Sequence, residues 1–350
     1  MPKFDRYLLS NIFSGTIIAL IFLLTIDFLV QSGEEISSVG EGNYTLTVML
    51  TVLFFQLPER IIEFTPAAIL VGSILSLGQL ATQQELIVAQ TAGMSRLRIV
   101  RSGIFLALVF GCLLIAIAEF ISPQSSQKSE EIRNFALGKT TQTAYSNGLW
   151  FNDKNQQLIH IASLSSDGSL NNLHFYRRQN NTIEIQTAEK AIFNNNSWIL
   201  EKPQKWTFTP EKIIQIPTEQ YWQTTATPEN LYQIAAKKNS GTISELLALN
   251  NFLKSNSLPH QKESLELWQR IFLPISALTM LLLALPFVFK TSRGTNGSRL
   301  LIGIVLGTLY YIIQGIISSL AILLNFPPLI GALLPNILLG IPPLFILMRS

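Results

Sequence analysis

The hydrophobic positions of this chain follow two rhythms. Toward both ends they run almost unbroken for the length of a bilayer, about 20 residues at helical rise. Those runs predict six membrane-spanning helices, at roughly 11–32, 60–80, 99–121, 268–289, 299–322 and 330–348. A further apolar stretch, Leu46 to Leu57, stops at Pro58. It is too short to span, so it is expected in the outer interface or packed against the bundle. Between Ser122 and Gln269 the rhythm changes. The segments "QLIHIAS", "LHFYRR", "TIEIQTAEKAIF", "SWILEKPQKWTFT" and "KIIQIP" alternate with a period of two and are divided by Asn, Gly, Asp and Pro clusters. This pattern predicts antiparallel strands in a sandwich or jelly-roll-like sheet. Ser240 to Leu253 then returns to helical spacing, and "SLPHQKESLELWQR" leads into the fourth span. The expected architecture is an α+β membrane protein of six transmembrane helices, with an antiparallel β-jellyroll inserted between the third and fourth. The corresponding domains are 1–121, 122–267 with its exit helix, and 268–350.

Composition agrees with a membrane protein. Only 13% of the residues are charged, against about a quarter in a soluble domain, and 48% are hydrophobic. The first run, Ile12 to Val30, is too long for a signal-peptide core, and "VQSGEEISS" after it offers no cleavage site, so it is read as a retained span. The single Cys112 excludes a disulfide framework. Charge then sets orientation. Lys3 and Arg6, then Arg96, Arg98 and Arg101, then Lys290, Arg293 and Arg299, and finally Arg349 all fall on one side. Glu34, Glu35, Glu41 and Glu59 fall on the other. The positive-inside rule puts both termini in the cytoplasm and the β insert outside it.

Catalytic patterns are decoys. "GKT" at Gly138–Thr140 has Arg133 where a phosphate loop needs its first glycine. His160, His174 and His260 are scattered, with no metal-ligand spacing, so neither catalytic residues nor a metal site is expected. Three acids lie near or within spans: Asp27, Glu63 and Glu119. Ionisable groups in a bilayer are costly and mark function, but each of these lies toward the outer end of its span and could simply reach water. A proton relay through them is the alternative. The stretch "TQQELIVAQTAGMSR", Thr82 to Arg96, predicts a short cytoplasmic helix. Thr82 and Glu85 have the T-x-x-E spacing of a capping box. Leu86, Ile87, Val88 and Ala89 form an apolar patch that would be buried either against the bundle or against another protein.

Several motifs together carry a resemblance: "FDRYLL", "GEGNY", "PAAILVGSILSLGQLATQQELIVAQTAGMSRLRI", "EFISPQ", "NGLWFND", "WQRIFLPIS" and "FPPLIGALLP". Over nearly its whole length the chain resembles the permease family of the lipopolysaccharide exporter, LptF/LptG, and its G branch more than its F branch. The resemblance implies a heterodimer with an LptF permease on an LptB ATPase dimer, joined by LptC with its own transmembrane helix and jellyroll. ATP and Mg would be bound by the ATPase, and no cofactor by this chain. Lipopolysaccharide would enter a cavity lined by the first and fifth spans and leave along a periplasmic jellyroll bridge.

Matched residue by residue, the family's coupling helix corresponds to Gln84–Ser95, with Glu85 as its acid and Gln84, Leu86, Ala92 and Gly93 as further contacts. The arginine at the start of the insert corresponds to Arg133, and an aromatic of the fifth span to Tyr311. Candidate lipid-facing residues are Phe22, Ile26 and Val30 on the first span, and Leu306, Tyr310, Ile313 and Ile317 on the fifth. Family lysines suited to lipid A phosphates are replaced here by Gln31, Ser37, Ser38 and Glu59. Arg60, Arg133 or the partner subunit could compensate, or the lipid A could carry less phosphate. A same-fold transporter of another amphiphile, and a proton-coupled transporter using Asp27 and Glu119, are the competing readings.

Overall fold

The computed structural model describes residues 3–91, 96–138, 143–153, 157–165, 168–179, 182–194, 197–209, 212–217, 220–224, 226–228, 230–231, 242–256, 258–290 and 296–349. Helix α1 (Lys3–Glu35) leads through a 3-10 turn to α2 (Leu46–Thr82), α3 (Glu85–Thr91) and α4 (Arg96–Ala116). A π-helical turn, Ile117–Ile121, joins α4 to α5 (Ser122–Ala136) without a loop. The strands follow: β1 (Thr143–Asp153), β2 (Gln157–Leu164), β3 (Leu170–Gln179), β4 (Thr182–Asn194), β5 (Ser197–Glu201), β6 (Gln204–Phe208), β7 (Ile213–Ile216) and β8 (Tyr221–Trp222). The chain closes with α6 (Ile243–Ser255), α7 (Gln261–Ile271), α8 (Leu273–Lys290), α9 (Asn296–Leu323) and α10 (Pro328–Arg349).

Among the described residues, five helical runs are long and apolar enough to cross a membrane. The pair α7–α8, bent by 62°, makes a sixth when taken as one span. The bend sits at Phe272, two residues before Pro274, which has no N–H to continue the helical ladder.

One expectation fails at Pro58. The stretch from Leu46 is not a separate interfacial element; it is the first third of α2, which runs unbroken through both Pro58 and Pro66. Each proline removes a ladder hydrogen bond, and a helix keeps its course through one only when neighbours satisfy the loosened backbone. Serines of α5 do this near Pro58. Ser125 donates to the Phe55 carbonyl at 2.6 Å and Ser129 to the Val52 carbonyl at 3.1 Å.

Helix α2 is the centre of the bundle. Of its apolar window 72% is buried, against 22% for α1 and 17% for α9, both of which pack on it. The α1–α2 approach is close because Gly15 and Gly72 face each other. A Cβ on Gly72 would stand 2.5 Å from the Thr16 backbone.

The strands form an antiparallel sheet ordered β1-β2-β3-β4-β5-β8 that forks at β4. Ile183–Thr187 of β4 pair with β6, which carries β7, whereas Lys190–Asn194 pair with β5. One face of the sheet buries Ile159, Ile161, Leu173, Phe175 and Trp198 beneath Leu249, Phe252 and Leu253 of α6. That helix starts on a complete capping box, Thr242 with Glu245. The chain divides into two compact units, Met1–Glu130 with Leu265–Ser350, and Glu131–Ser264.

Candidate functional site

The helical unit presents three features that bear on function: two open helix faces, a polar clamp on α2, and the short helix α3. The faces belong to α1 and α9. On α1, Ile18, Phe22, Ile26, Leu29 and Val30 lie along one exposed stripe, with Phe22, Ile26 and Val30 at 44%, 45% and 54% exposure. The three candidates on the first span therefore share an open face.

The fifth-span candidates do not. Tyr310 is 2% exposed and packs with Leu70, Ile74 and Met280, while Leu306 and Tyr311 pack against the same cluster. The Tyr310 hydroxyl donates to Asn336 Oδ1 on α10 at 2.9 Å. A buried phenol needs such a partner, and meeting it turns this side of α9 inward. The open stripe runs instead through Val305, Leu309, Ile312 and Ile316. It sits one residue earlier at every position than Leu306, Tyr310, Ile313 and Ile317, a rotation of about 100° at 3.6 residues per turn. Ile313 and Ile317 are half-buried beside it.

The polar clamp ties α1, α2 and α9 together. Arg60 on α2 lies 3.5 Å from the Asp27 carboxylate of α1 and 3.0 Å from that of Glu63, one turn along its own helix. Two of the acids that looked isolated in the sequence are thus joined by one guanidinium. Arg60 is correspondingly engaged by a carboxyl group on each of two helices. The adjacent Glu59 is held by Ser126 at 3.0 Å. A few residues further on, the Tyr311 hydroxyl enters the α2 backbone at Pro66, donating to the Glu63 carbonyl at 2.6 Å and accepting from the Ala67 N–H. Side chains inserted into a ladder in this way accompany kinks. Glu119 lies half-buried on the π turn, and Arg133 half-buried in the last turn of α5, within the second unit.

The α2–α3 end also departs from its local signal. Thr82 is the last residue of α2, not the cap of α3. Its hydroxyl donates back to the Gly78 carbonyl at 3.0 Å and accepts from Arg299 Nη2 at 2.6 Å. The turn is made by Gln84, at φ +61°, whose carbonyl accepts the first α3 bond from the Val88 N–H. Helix α3 therefore begins at Glu85. Leu86 is buried with Leu8, Ile12, Leu80 and Val288, and Ala89 is also buried, whereas Val88 is 64% exposed. The apolar patch is split: part anchors the helix to the bundle and part faces out. Glu85 is half-buried within hydrogen-bonding reach of the Tyr7 hydroxyl. Ala92 and Gly93 lie outside the described residues.

Sequence reasoning read Arg299 only as an orienting charge. It is 3% exposed and lies across Gly78, where a Cβ would stand 2.8 Å from its Cδ and Nε. It joins the start of α9 to the α2–α3 turn. Its signal was present, an arginine inside the helix start rather than before it, but its partner is remote in sequence.

In the β unit, His160 and His174 are cross-strand neighbours with ring centroids 5.8 Å apart, flanked by Trp150 and Tyr176. Burial, and secondarily His160, hold His174 below the ordinary histidine value. No group of three or more potential metal ligands occurs among the described residues.

Five continuous apolar helices and one bent pair among the described residues, with the strands of an antiparallel sheet inserted in sequence between the third and fourth spans, define a multi-pass membrane protein with an inserted β domain. The sequence narrows the class further: the chain belongs to the lipopolysaccharide export system permease LptF/LptG family, whose profile matches residues 6–349. It is 29% identical over 340 residues to the lipopolysaccharide export system permease protein LptG of Haemophilus influenzae (strain ATCC 51907 / DSM 11121 / KW20 / Rd), covering 95% of each chain. To LptG of Escherichia coli (strain K12) it is 29% identical over 353 residues, 99% of this chain and 98% of that one. To the lipopolysaccharide export system permease protein LptF of the same strain it is 26% identical over 128 residues, 36% of this chain and 35% of that one.

Proposed function

We propose that the chain is the G-type permease of an ATP-driven exporter that lifts lipopolysaccharide out of the inner membrane toward a periplasmic β-jellyroll bridge. Its partners are an LptF-type permease, an LptB-type ATPase dimer and LptC. Both termini and α3 lie in the cytoplasm, and the β domain lies in the periplasm. Residues 1–121 and 268–350 form the membrane part, with the insert between them.

The observation that carries this reading is the pair of open apolar faces on α1 and α9, on helices that both pack against the buried α2. In hydrocarbon such faces cost almost nothing, because lipid tails are as apolar as the side chains. A face of this kind can exchange bilayer tails for those of a lipid cargo with little change in energy. Moving the cargo outward is different: each methylene taken from bilayer to water costs about 0.8 kcal/mol. The faces cannot supply that, so the lift needs a motor and a shielded path. In this reading ATP and Mg bind the ATPase partner, which supplies that motor.

Helix α3 is the docking element, anchored by Leu86 and Ala89, with Val88 exposed and Glu85 half-buried beside Tyr7. Arg60, already paired with two carboxylates, Arg133 and the partner permease are the candidates for contacts to lipid A phosphates. Purification from native membranes, with mass spectrometry of co-purifying proteins and lipid, tests the reading. An ATPase and a second permease are expected, and their absence contradicts it. Glu85→Lys is expected to release the ATPase while the permease still inserts. Retained complex and normal growth would contradict the docking role.

A further inference from the structure

The inner face of the sheet is apolar at one end only. At the other, where β4 turns from β6 to β5, a cleft of about 590 Å³ opens. Its volume suits a small molecule. Its lining does not suit an acyl chain, because glutamines and cations cover its walls.

Two cross-strand rows build those walls. One is Gln157–Arg177–Glu184 and the next is Phe175–Gln186–Lys205, each set by the ladder register. In the amide orientation that satisfies both groups, the Gln157 oxygen accepts from Arg177 Nη2 at 3.0 Å and Nε at 3.1 Å. Lys205 is paired with Glu184 at 3.0 Å. Of the two cations lining the cleft, one is therefore neutralised by a carboxylate and the other is held by a neutral amide. Gln220 and Gln223 add further amides to the lining.

Aromatic rings complete it. Trp222 is buried, edge-on to Phe175 at 5.2 Å and 77°, and Tyr221 beside it is 58% exposed. Apolar atoms therefore form the floor and one exposed ring forms a platform. An acyl chain here would strip water from amides and a guanidinium without replacing their hydrogen bonds, which costs several kcal/mol per group. The lining suits a ligand with many hydroxyls, a ring face to lay on an aromatic, and one negative charge for Arg177.

We propose that this cleft binds an anionic saccharide, a pyranose carrying one carboxylate or phosphate. The site is a property of the β domain and does not depend on the export reading. The ligand is either a free sugar acid or sugar phosphate, or the glycan portion of a membrane lipid.

Saturation-transfer NMR on the full chain in nanodiscs tests it. The probes are glucuronate, glucose 6-phosphate, glucose, inorganic phosphate and deacylated lipopolysaccharide oligosaccharide. At least one anionic saccharide is expected to bind saturably and at least tenfold more tightly than glucose or phosphate alone. Tighter binding of the oligosaccharide than of the monosaccharides assigns the ligand to a lipid glycan, and the reverse order assigns it to a free sugar. Arg177→Gln should weaken binding at least tenfold. Gln223→Ala, an exposed rim position that leaves the core untouched, should weaken it several-fold with unchanged tryptophan fluorescence. Phosphate binding as well as glucose 6-phosphate, binding unaffected by either variant, or no binding of any saccharide would overturn the proposal.

Discussion

Helix α2 and its two neighbours are built from similar residues and serve opposite ends. On α2, apolar side chains are buried, two prolines interrupt the ladder, and α5 and α9 meet the backbone groups those prolines disturb. On α1 and α9, apolar side chains of the same kinds lie exposed along a stripe, and no proline interrupts the ladder. Sequence hydrophobicity does not separate the two cases. What separates them is where neighbours approach: small residues and polar patches fix α2, and their absence leaves a face available. The scaffold is therefore costly to alter and the faces are cheap to alter, while export depends on both.

The largest expected effect comes from closing the α1–α2 approach. Gly72→Val places atoms where the Thr16 backbone already stands, and overpacking of this kind costs about 3 kcal/mol. Thermal unfolding in detergent should show the loss. Near-normal stability would mean the two helices can separate freely, and the contrast with α9 would fail.

Tyr311→Phe removes one hydroxyl from the ladder beside Pro66, leaving the Glu63 carbonyl without that donor, for a loss of about 1 kcal/mol. The ring remains, so a change in cargo capture without a change in stability would assign Tyr311 to the lipid path instead of to the scaffold. Smallest in stability is Val305→Ala on the open stripe of α9. It should shift unfolding by less than about 0.5 kcal/mol, as for other surface changes, and yet reduce export measured in membrane vesicles. A stability loss comparable to that of Gly72→Val would show this face to be packed.

The contrast also explains what the sequence could and could not reveal. Spans were legible because apolar length is a direct consequence of bilayer thickness, and strands because alternation follows from the pleat. Pro58 misled because the contact that meets its loosened backbone, Ser125 donating to the Phe55 carbonyl, spans 70 residues of the chain. The T-x-x-E pattern at Thr82 was a sound local signal, overridden by an arginine 217 residues on that claims the same hydroxyl. On α9 almost every position is apolar, so periodicity could not choose the open face; the pairing of Tyr310 with Asn336 does. Half of the Arg60 clamp was hidden for a related reason: Glu63 is three residues away on the same helix, but Asp27 sits on α1 and only the fold brings it to Arg60. Likewise the two histidines, 14 residues apart, became neighbours only through the β2–β3 register.

Site-specific photo-crosslinking in native membranes tests the central claim most directly. A photoreactive phenylalanine analogue is placed in turn at Ile26, Leu309, Ile312 and Tyr310. Lipopolysaccharide adducts should form at Ile26, Leu309 and Ile312 and be absent at Tyr310, which is enclosed between α2, α8 and α10. Adducts at Tyr310 as strong as those at Ile312, or none at any position of the open stripes, would contradict the account.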